Sequence, residues 1–281
     1  MEIKEINHAN LSDHEELASS DEAENIGRTC CRGLMAYDMF ESKGAIVWTT
    51  MNAETDNAGE EIGFLQASDE EAAAELIEEH DAVVRSEGIA YSFLEEKDMP
   101  EGIRSALESA GFRVVNTESR DICTDVGSLD GIKVPRTRLP DYVMSIGRLT
   151  EIELWNGLTL CLYDGRKGLV EDLDQMTEEW FDPDISSCIK ADGKVEGMLL
   201  VHRSPSGTLM PVLFYCRGRN QNKNLMYMLR FSINAARKKY DADTKVVLRR
   251  HDDATTNLIS YLFPDAKGES VYRGERRLDT V

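Results

Sequence analysis

The sequence has no apolar run long enough to cross a bilayer, and its acidic start, MEIKEINHANLSDHEE, lacks the apolar core of a secretory signal. A cytoplasmic protein is expected. Cysteine is sparse and irregularly spaced: Cys30, Cys31, Cys123, Cys161, Cys188 and Cys216 form no C-x-x-C pair, and the vicinal pair is badly placed for a disulfide frame. Reduced thiols and no metal site follow. G-x-G-x-x-G, the Walker loop, H-E-x-x-H and G-x-S-x-G are all missing, which removes the dinucleotide, P-loop, zinc-protease and serine-hydrolase readings. Positive charge is scarce where negative charge is dense, since residues 1–130 hold 9 basic against 31 acidic residues. A surface that negative argues against nucleic acid and against anionic membranes as partners, and it offers a polyanionic cofactor no seat in the first half.

What is present is globular. Of the 281 residues, 41% are hydrophobic and 30% charged, enough for two domains of ordinary size. The stretch DGIKVPRTRLPDY, residues 129–141, carries two prolines and a glycine and reads as a linker, so residues 1–128 and 129–281 are expected to be the two modules. Residues 131–281 hold 23 bases against 21 acids, with RGRNQNK, Arg237-Lys238-Lys239 and Arg249-Arg250 as the places where phosphates would find basic company.

In the first module a short strand in MEIKEI precedes a polar stretch, 8–28, with no resolved pattern. TCCRGLMAYDMF and AIVWTTM are β-prone runs joined at Glu41-Ser42-Lys43-Gly44 as a hairpin, and EIGFLQA is a third strand. SDEEAAAELIEEHDAVVRSEG has helical spacing and opens on Ser68 and Glu71 as a capping box. AYSFLE, a helix ending at Gly111-Phe112, and a strand or pair in RVVNTESRDICTDVG complete it. The second module begins with a helical stretch, YVMSIGRLTEIELWNGLTLCLY, broken near Gly147 or Gly157. ISSCIKA, VEGMLLVHR and TLMPVLFYC are then three antiparallel strands joined at Asp192-Gly193 and SPSG. A helix, the strand TKVVLRR, a helix through NLISYLF and the strand ESVYRGERRL repeat the layout of the first half. The expected fold class is mixed α/β, two tandem modules of mostly antiparallel sheet flanked by helices.

The most informative stretch runs from Phe214 to Met226, FYCRGRNQNKNLM, where a strand ends, a polar loop turns and a helix begins. Amides at a helix N-terminus favour phosphate oxygens. In register and length the loop resembles the pyrophosphate loop of the GNAT superfamily of N-acetyltransferases: Arg217 fits the first position, Asn220 and Asn222 stand where that family has glycines, and Leu225-Met226 fit its apolar pair. The element order of both halves is similar to that fold. In the first half the equivalent place reads Gln66-Ala67-Ser68-Asp69-Glu70-Glu71, whose carboxylates would repel a pyrophosphate, so that module is read as one without cofactor.

The resemblance implies acetyl-CoA as cofactor and acyl transfer to the primary amine of a small molecule or a protein. It places the cofactor against Leu213, Phe214, Tyr215, Arg217, Gly218, Arg219, Asn220, Gln221, Asn222 and Lys223, with the Leu213–Tyr215 backbone polarising the thioester. TLMPVLFYC has no carboxylate where the family often has its base; Glu196, His202 and His251 are the alternatives, of which His251, after a strand end and before Asp252, is the catalytic candidate. The family's acid is commonly a tyrosine in the late helix, where NLISYLF brings Ser260 into register with Tyr261 beside it. Tyr261 is the second catalytic candidate, packing against the sheet being its other reading. Cys216 reads as a small apolar residue. The competing reading is a non-catalytic module that binds CoA or a protein on a relic of the same fold.

Overall fold

The computed structural model describes residues 1–28, 30–51, 59–132, 134, 138–163, 180–250 and 253–278. The chain forms two compact units, residues 1–119 with 269–281, and residues 120–268.

Unit 1 is a seven-stranded sheet in the order β1-β2-β3-β4-β5-β13-β6. Its strands are β1 (Glu2–Glu5), β2 (Cys31–Asp38), β3 (Glu41–Met51), β4 (Gly59–Ala67), β5 (Tyr91–Glu96), β6 (Arg113–Glu118) and, from the far end of the chain, β13 (Ser270–Arg277). The 8–28 stretch holds short 3-10 turns and one helical turn, α1 (Glu15–Ala18), on one face with Leu17 buried. The other face is covered by α2 (Glu70–Ser86) and α3 (Glu101–Ser109), which bury Leu76, Ile77, Ile103 and Leu107 over Ile46, Trp48, Ile62 and Leu94. The hairpin turns before Glu41-Ser42-Lys43-Gly44, which belong to β3, at Met39-Phe40, with Met39 left-handed (φ 55°) and Asp38 paired to Glu41. The helix cap also differs: Asp69, not Ser68, accepts the Ala72 N–H at 2.9 Å, and the Ser68 hydroxyl turns to Asp69. A carboxylate is as good a cap as a hydroxyl and adds charge to the dipole.

Unit 2 has six strands in the order β7-β12-β11-β10-β9-β8: β7 (Asp121–Asp125), β8 (Val143–Ser145), β9 (Ser187–Ala191), β10 (Lys194–Arg203), β11 (Leu209–Cys216) and β12 (Lys245–Arg249). The Asp192-Gly193 turn has both residues at positive φ, as a two-residue hairpin of this twist requires. On one face lies α4 (Glu151–Tyr163); on the other, α5 (Gln221–Lys239) and α6 (Asp253–Leu262). The expected helix from Tyr142 instead begins as β8 and a 3-10 turn, and α4 runs unbroken through Gly157. A side chain there would strike Met198 Sδ at 2.8 Å and Val195 Cγ1 at 2.9 Å, so the glycine serves close approach to β10.

Read from the β8 edge, unit 2 repeats the strand order of unit 1 without a partner for β6. Each unit has one parallel pair, β4 with β5 and β11 with β12, and the other ladders are antiparallel. The units differ from the 1–128 and 129–281 modules read from the sequence because each sheet takes one strand from the other half. β7 pairs with β12, and Arg249 grips Asp121 across that ladder at 3.0 Å. The base-rich β13 inserts between β5 and β6, where Arg273 meets Glu95 at 2.6 Å and Arg276 meets Asp81. Complementary charge accounts for the choice of sheet.

Candidate cofactor site

The site begins where β11 and β12 separate. Their ladder holds a single pair, Leu209↔Val246, and beyond it the strands diverge. A bulge contributes to this: Leu200 faces Leu213 and Val201 faces Pro211, leaving Val212 as an extra residue that bends β11. In unit 1 the bulge recurs at the equivalent place, with Gly63 as the extra residue, but β4 and β5 stay paired for four steps, from Gly59↔Tyr91 to Ile62↔Leu94.

At the end of β11 the chain makes the polar loop. Arg217 N–H donates to the Glu196 carbonyl at 3.0 Å, Gly218 adopts φ +90°, and α5 starts at Gln221. Only glycine takes that φ without strain, and a Cβ there would have nothing within 4 Å, so the backbone is open to solvent. The sequence suggested Asn220 and Asn222 for the left-handed positions; both have ordinary backbone. Asn220 is the helix N-cap at φ −104° without a side-chain cap bond, and Asn222 lies in the first turn. The left-handed residue is the glycine that was already there.

The first-turn N–H groups of Asn222 and Lys223 have no acceptor among the described residues, while Asn224 N–H closes on the Asn220 carbonyl at 2.9 Å. Among the described residues no ion pair is formed by Arg217, Arg219 or Lys223, and the Lys223 ammonium lies over the Tyr227 ring at 5.6 Å. Two open amides and a helix dipole therefore meet at one exposed turn that also carries Arg217, Arg219 and Lys223, and such a turn suits phosphate. The helix is fixed to the sheet behind them. Buried Asn224 accepts from the Tyr142 hydroxyl at 3.3 Å, Ser187 Oγ donates to the Met228 carbonyl at 3.2 Å, and Lys239 and Tyr240 hold Asp182 at the far end. Burial opposes the charge on Asp182, yet the Lys239 ammonium and the Tyr240 hydroxyl hold its carboxyl below the usual range.

Between α5 and α6, over the diverging strands, lies a cavity of ≈ 150 Å³ lined by Leu199, Pro211, Phe214, Ile233, Leu248 and Ile259 among others. Sequence reading missed this cavity. Its residues appear in the sequence as ordinary apolar periodicity, and only the spacing of the two helices makes them a wall.

The proposed proton-transfer groups are less well gathered. His202 is 1% exposed, stacked on Trp180 at 3.7 Å with its Nδ1 2.7 Å from the Trp180 carbonyl, which makes it a core residue. Tyr261 is 69% exposed, so the alternative of a buried tyrosine packing the sheet is corrected: Leu258, Ile259 and Leu262 take that face of α6. His251 lies outside the described residues. Glu196 is half-buried on β10 beside Cys216. Burial pushes the Cys216 thiol up from its ordinary value, which keeps it protonated and agrees with its reading as an apolar residue. All six cysteines are free, and the described residues contain no group of three or more His, Cys, Asp or Glu suited to a metal.

Two repeated sheets, each with one parallel pair parted by a bulge and followed by a helix, decide the fold. It is that of a tandem GNAT protein. A tandem GNAT protein from the clavulanic acid biosynthesis pathway aligns over 98% of this chain and 98% of its own, with TM-score 0.58 and 9% identity. A protein of unknown function from Enterococcus faecalis V583, described as a probable N-acyltransferase, aligns over 99% of this chain and 73% of its own, with TM-score 0.54 and 11% identity. No protein-family model matches the sequence, and no curated protein matches it. Within the GNAT fold, the loop of unit 2 and its cleft fall at the junction of the parallel pair and the following helix. In unit 1 the same junction is acidic and capped by its own Asp69.

Proposed function

We propose that unit 2 binds an acyl-CoA and that the protein is an N-acyltransferase acting on a primary amine. The observation that carries this reading is the turn at Gly218, where a left-handed glycine and open first-turn amides lie beside a cleft between parallel strands, in a stretch that carries Arg217, Arg219 and Lys223. Arg217, Arg219 and Lys223, with the open amides of Asn222 and Lys223, hold the pyrophosphate. The β11 edge at Leu213, Phe214 and Tyr215 faces the cleft and orients the chain that leads away from the phosphates. When bound, the thioester supplies an activated acyl carbonyl, acetyl being the group the fold's relatives suggest. Backbone amides aimed at that carbonyl stabilise negative charge developing on its oxygen. The apolar walls of the cleft exclude water from it.

A second reading has an observation of its own: His202, one of the alternatives for the base, is committed to the core, and Tyr261, the acid candidate, is turned to solvent. On that reading unit 2 binds CoA or a protein partner without chemistry. Two measurements separate the readings. Acetyl-CoA raises the melting temperature of the full chain, Arg217→Glu abolishes the shift, and Glu70→Ala at the equivalent helix of unit 1 leaves it intact. Thiol release from acetyl-CoA over a broad panel of amines then exceeds background for the enzyme and stays at background for the binding module. Absence of any shift at millimolar acetyl-CoA would count against both cofactor readings.

A further inference from the structure

A cluster of buried charge lies inside unit 1, away from the site in unit 2. His80, on α2, is fully buried, and each of its ring nitrogens faces a carboxylate: Nε2 lies 3.0 Å from Glu60 on β4, and Nδ1 lies 3.4 Å from Asp81. A neutral imidazole has one N–H and one lone pair, so it would set the lone pair against one of those carboxylates. Only the imidazolium donates on both sides. The balance of charge agrees. Glu60 is fully buried, and among the described residues His80 is the only cation within ion-pair distance of it, because Arg276 is bound to Asp81 at 2.6 Å and to the Ala110 carbonyl at 3.0 Å. With His80 charged, two carboxylates meet one imidazolium and one guanidinium, and the cluster is neutral. Without that proton a net negative charge stays in the core, where burial strongly disfavours it.

The cluster also reaches β13. Glu60, Ser92 and Arg276 are neighbours across β4, β5 and β13, and the Trp48 ring of β3 stands edge-on to the imidazole at 4.8 Å. Arg276 is the one charged side chain of β13 that is buried, and Asp81, which binds it, is met from its other side by His80. We propose that His80 is a buried imidazolium that latches β13 into unit 1, and that loss of its proton releases the strand. Opening β13 admits water to the charge left uncompensated on Glu60, so the open state gains on the closed one when the proton leaves. The latch is independent of the acyl-CoA reading of unit 2. Burial works against charge on His80, but Asp81 and Glu60 outweigh it and hold the group above its ordinary 6.5. The latch is therefore complete below pH 6.5 and is lost as pH rises through the folded value. Glu96, farther along β5, titrates at about 7, so measurements above pH 7 read His80 apart from it.

The test is nuclear magnetic resonance and amide exchange on the full chain. At pH 7 both ring nitrogens of His80 are expected to carry protons in long-range nitrogen–proton spectra. Above pH 7 the exchange of the β13 amides from Val271 to Arg276, corrected for the intrinsic rise of exchange with pH, is expected to quicken about tenfold per pH unit until His80 has titrated. Glu60→Gln keeps the shape of the side chain and removes the charge that needs the imidazolium, so it abolishes that dependence. A single protonated ring nitrogen on His80 at pH 7 overturns the imidazolium and the latch with it. Both nitrogens protonated, with β13 exchange that does not follow the His80 titration, overturns the latch alone. Should Glu60→Gln fail to fold, the spectra and the exchange of the wild type decide.

Discussion

The two units share a strand order and differ at nearly every point where a ligand would touch. In unit 1 the helix after the parted strand begins with Asp69, Glu70 and Glu71, and Asp69 already holds the Ala72 amide. In unit 2 the equivalent helix begins with no acid in its first turn, with a left-handed glycine ahead of it. Unit 1 packs α3 on α2 through the Ser105 hydroxyl and Glu70 (2.9 Å), with Gly102 against the Glu70 backbone; unit 2 has its cavity between α5 and α6. Charge divides the same way, with 31 acids and 11 bases in unit 1 and 21 of each in unit 2. One scaffold thus supports a closed acidic module and an open neutral one, and the difference lies in a few residues at helix starts and helix spacing.

Unit 1 has invested its polar groups inside. Thr50, Glu60, Ser92 and Arg276 lie in register across β3, β4, β5 and β13, and α2 sets His80 and Asp81 over them. Glu60 and His80 are fully buried 3.0 Å apart, Trp48 packs edge-on against His80, and Arg276, 5% exposed, donates to Asp81 at 2.6 Å. Burial works against charge on His80, but Asp81 and Glu60 hold its pKa above the usual range; burial likewise opposes the Asp81 charge, which His80 and Arg276 hold down. At the paired positions of the parallel strands, unit 2 buries Leu209 and Val246 instead. The row ties the inserted β13 to unit 1, so Arg276→Ala should have the largest effect of any change here. Removing one partner of a buried ion pair costs about 3 to 5 kcal/mol, because the other is left uncompensated. Denaturant unfolding followed by tryptophan fluorescence should show that loss, whereas Arg277→Ala, exposed on the same strand, should stay within about 0.5 kcal/mol. Equal small losses for both would mean that the row does not fix the strand.

The acidity of unit 1 also has a pH signature. Burial, with Asp98 beside it, pushes Glu96 up to about 7 from 4.5. The folded state therefore binds a proton that the unfolded state has released between those values, and its stability contribution, present below pH 4.5, is lost as pH rises through 7. The loss is up to about 3 kcal/mol at pH 8. Glu96→Gln should flatten the decline between pH 5 and pH 8 and leave the protein more stable than wild type at pH 8. Parallel stability curves for the two proteins would refute the burial argument for Glu96.

The order of elements was legible because local signals agree with it. Asp192-Gly193 forms the two-residue hairpin turn it should, SPSG turns as expected with Gly207 at φ +86°, and the apolar spacing of Met228, Ile233 and Ala236 marks the buried face of α5. Sheet membership was not legible. ESVYRGERRL reads as a strand in either unit, and only the acids awaiting Arg273 and Arg276 in the first half point to its place. At the site, the loop was found from Arg217 and its helix start, but φ at Gly218 and the separation of α5 from α6 depend on packing between segments remote in sequence. His202 illustrates the limit, since its burial comes from Trp180, which sequence places no nearer than any other aromatic.

The smallest expected effect makes the sharpest test of what the loop is. If the turn at Gly218 is the phosphate seat, a β-branched residue there must abandon φ +90° or hold it under strain, costing about 1 to 2 kcal/mol and pulling the amides off their target. Gly218→Val should therefore weaken cofactor binding roughly tenfold. Asn222 has helical backbone and an exposed side chain, so Asn222→Val should move affinity by less than about threefold, through helix propensity alone. Replacing Asn220 and Asn222 with glycine should not tighten binding, because neither occupies a conformation that glycine favours. Calorimetric titration of the wild type and these three variants with one acyl-CoA settles the matter. Equal affinity throughout would show that the turn carries no phosphate.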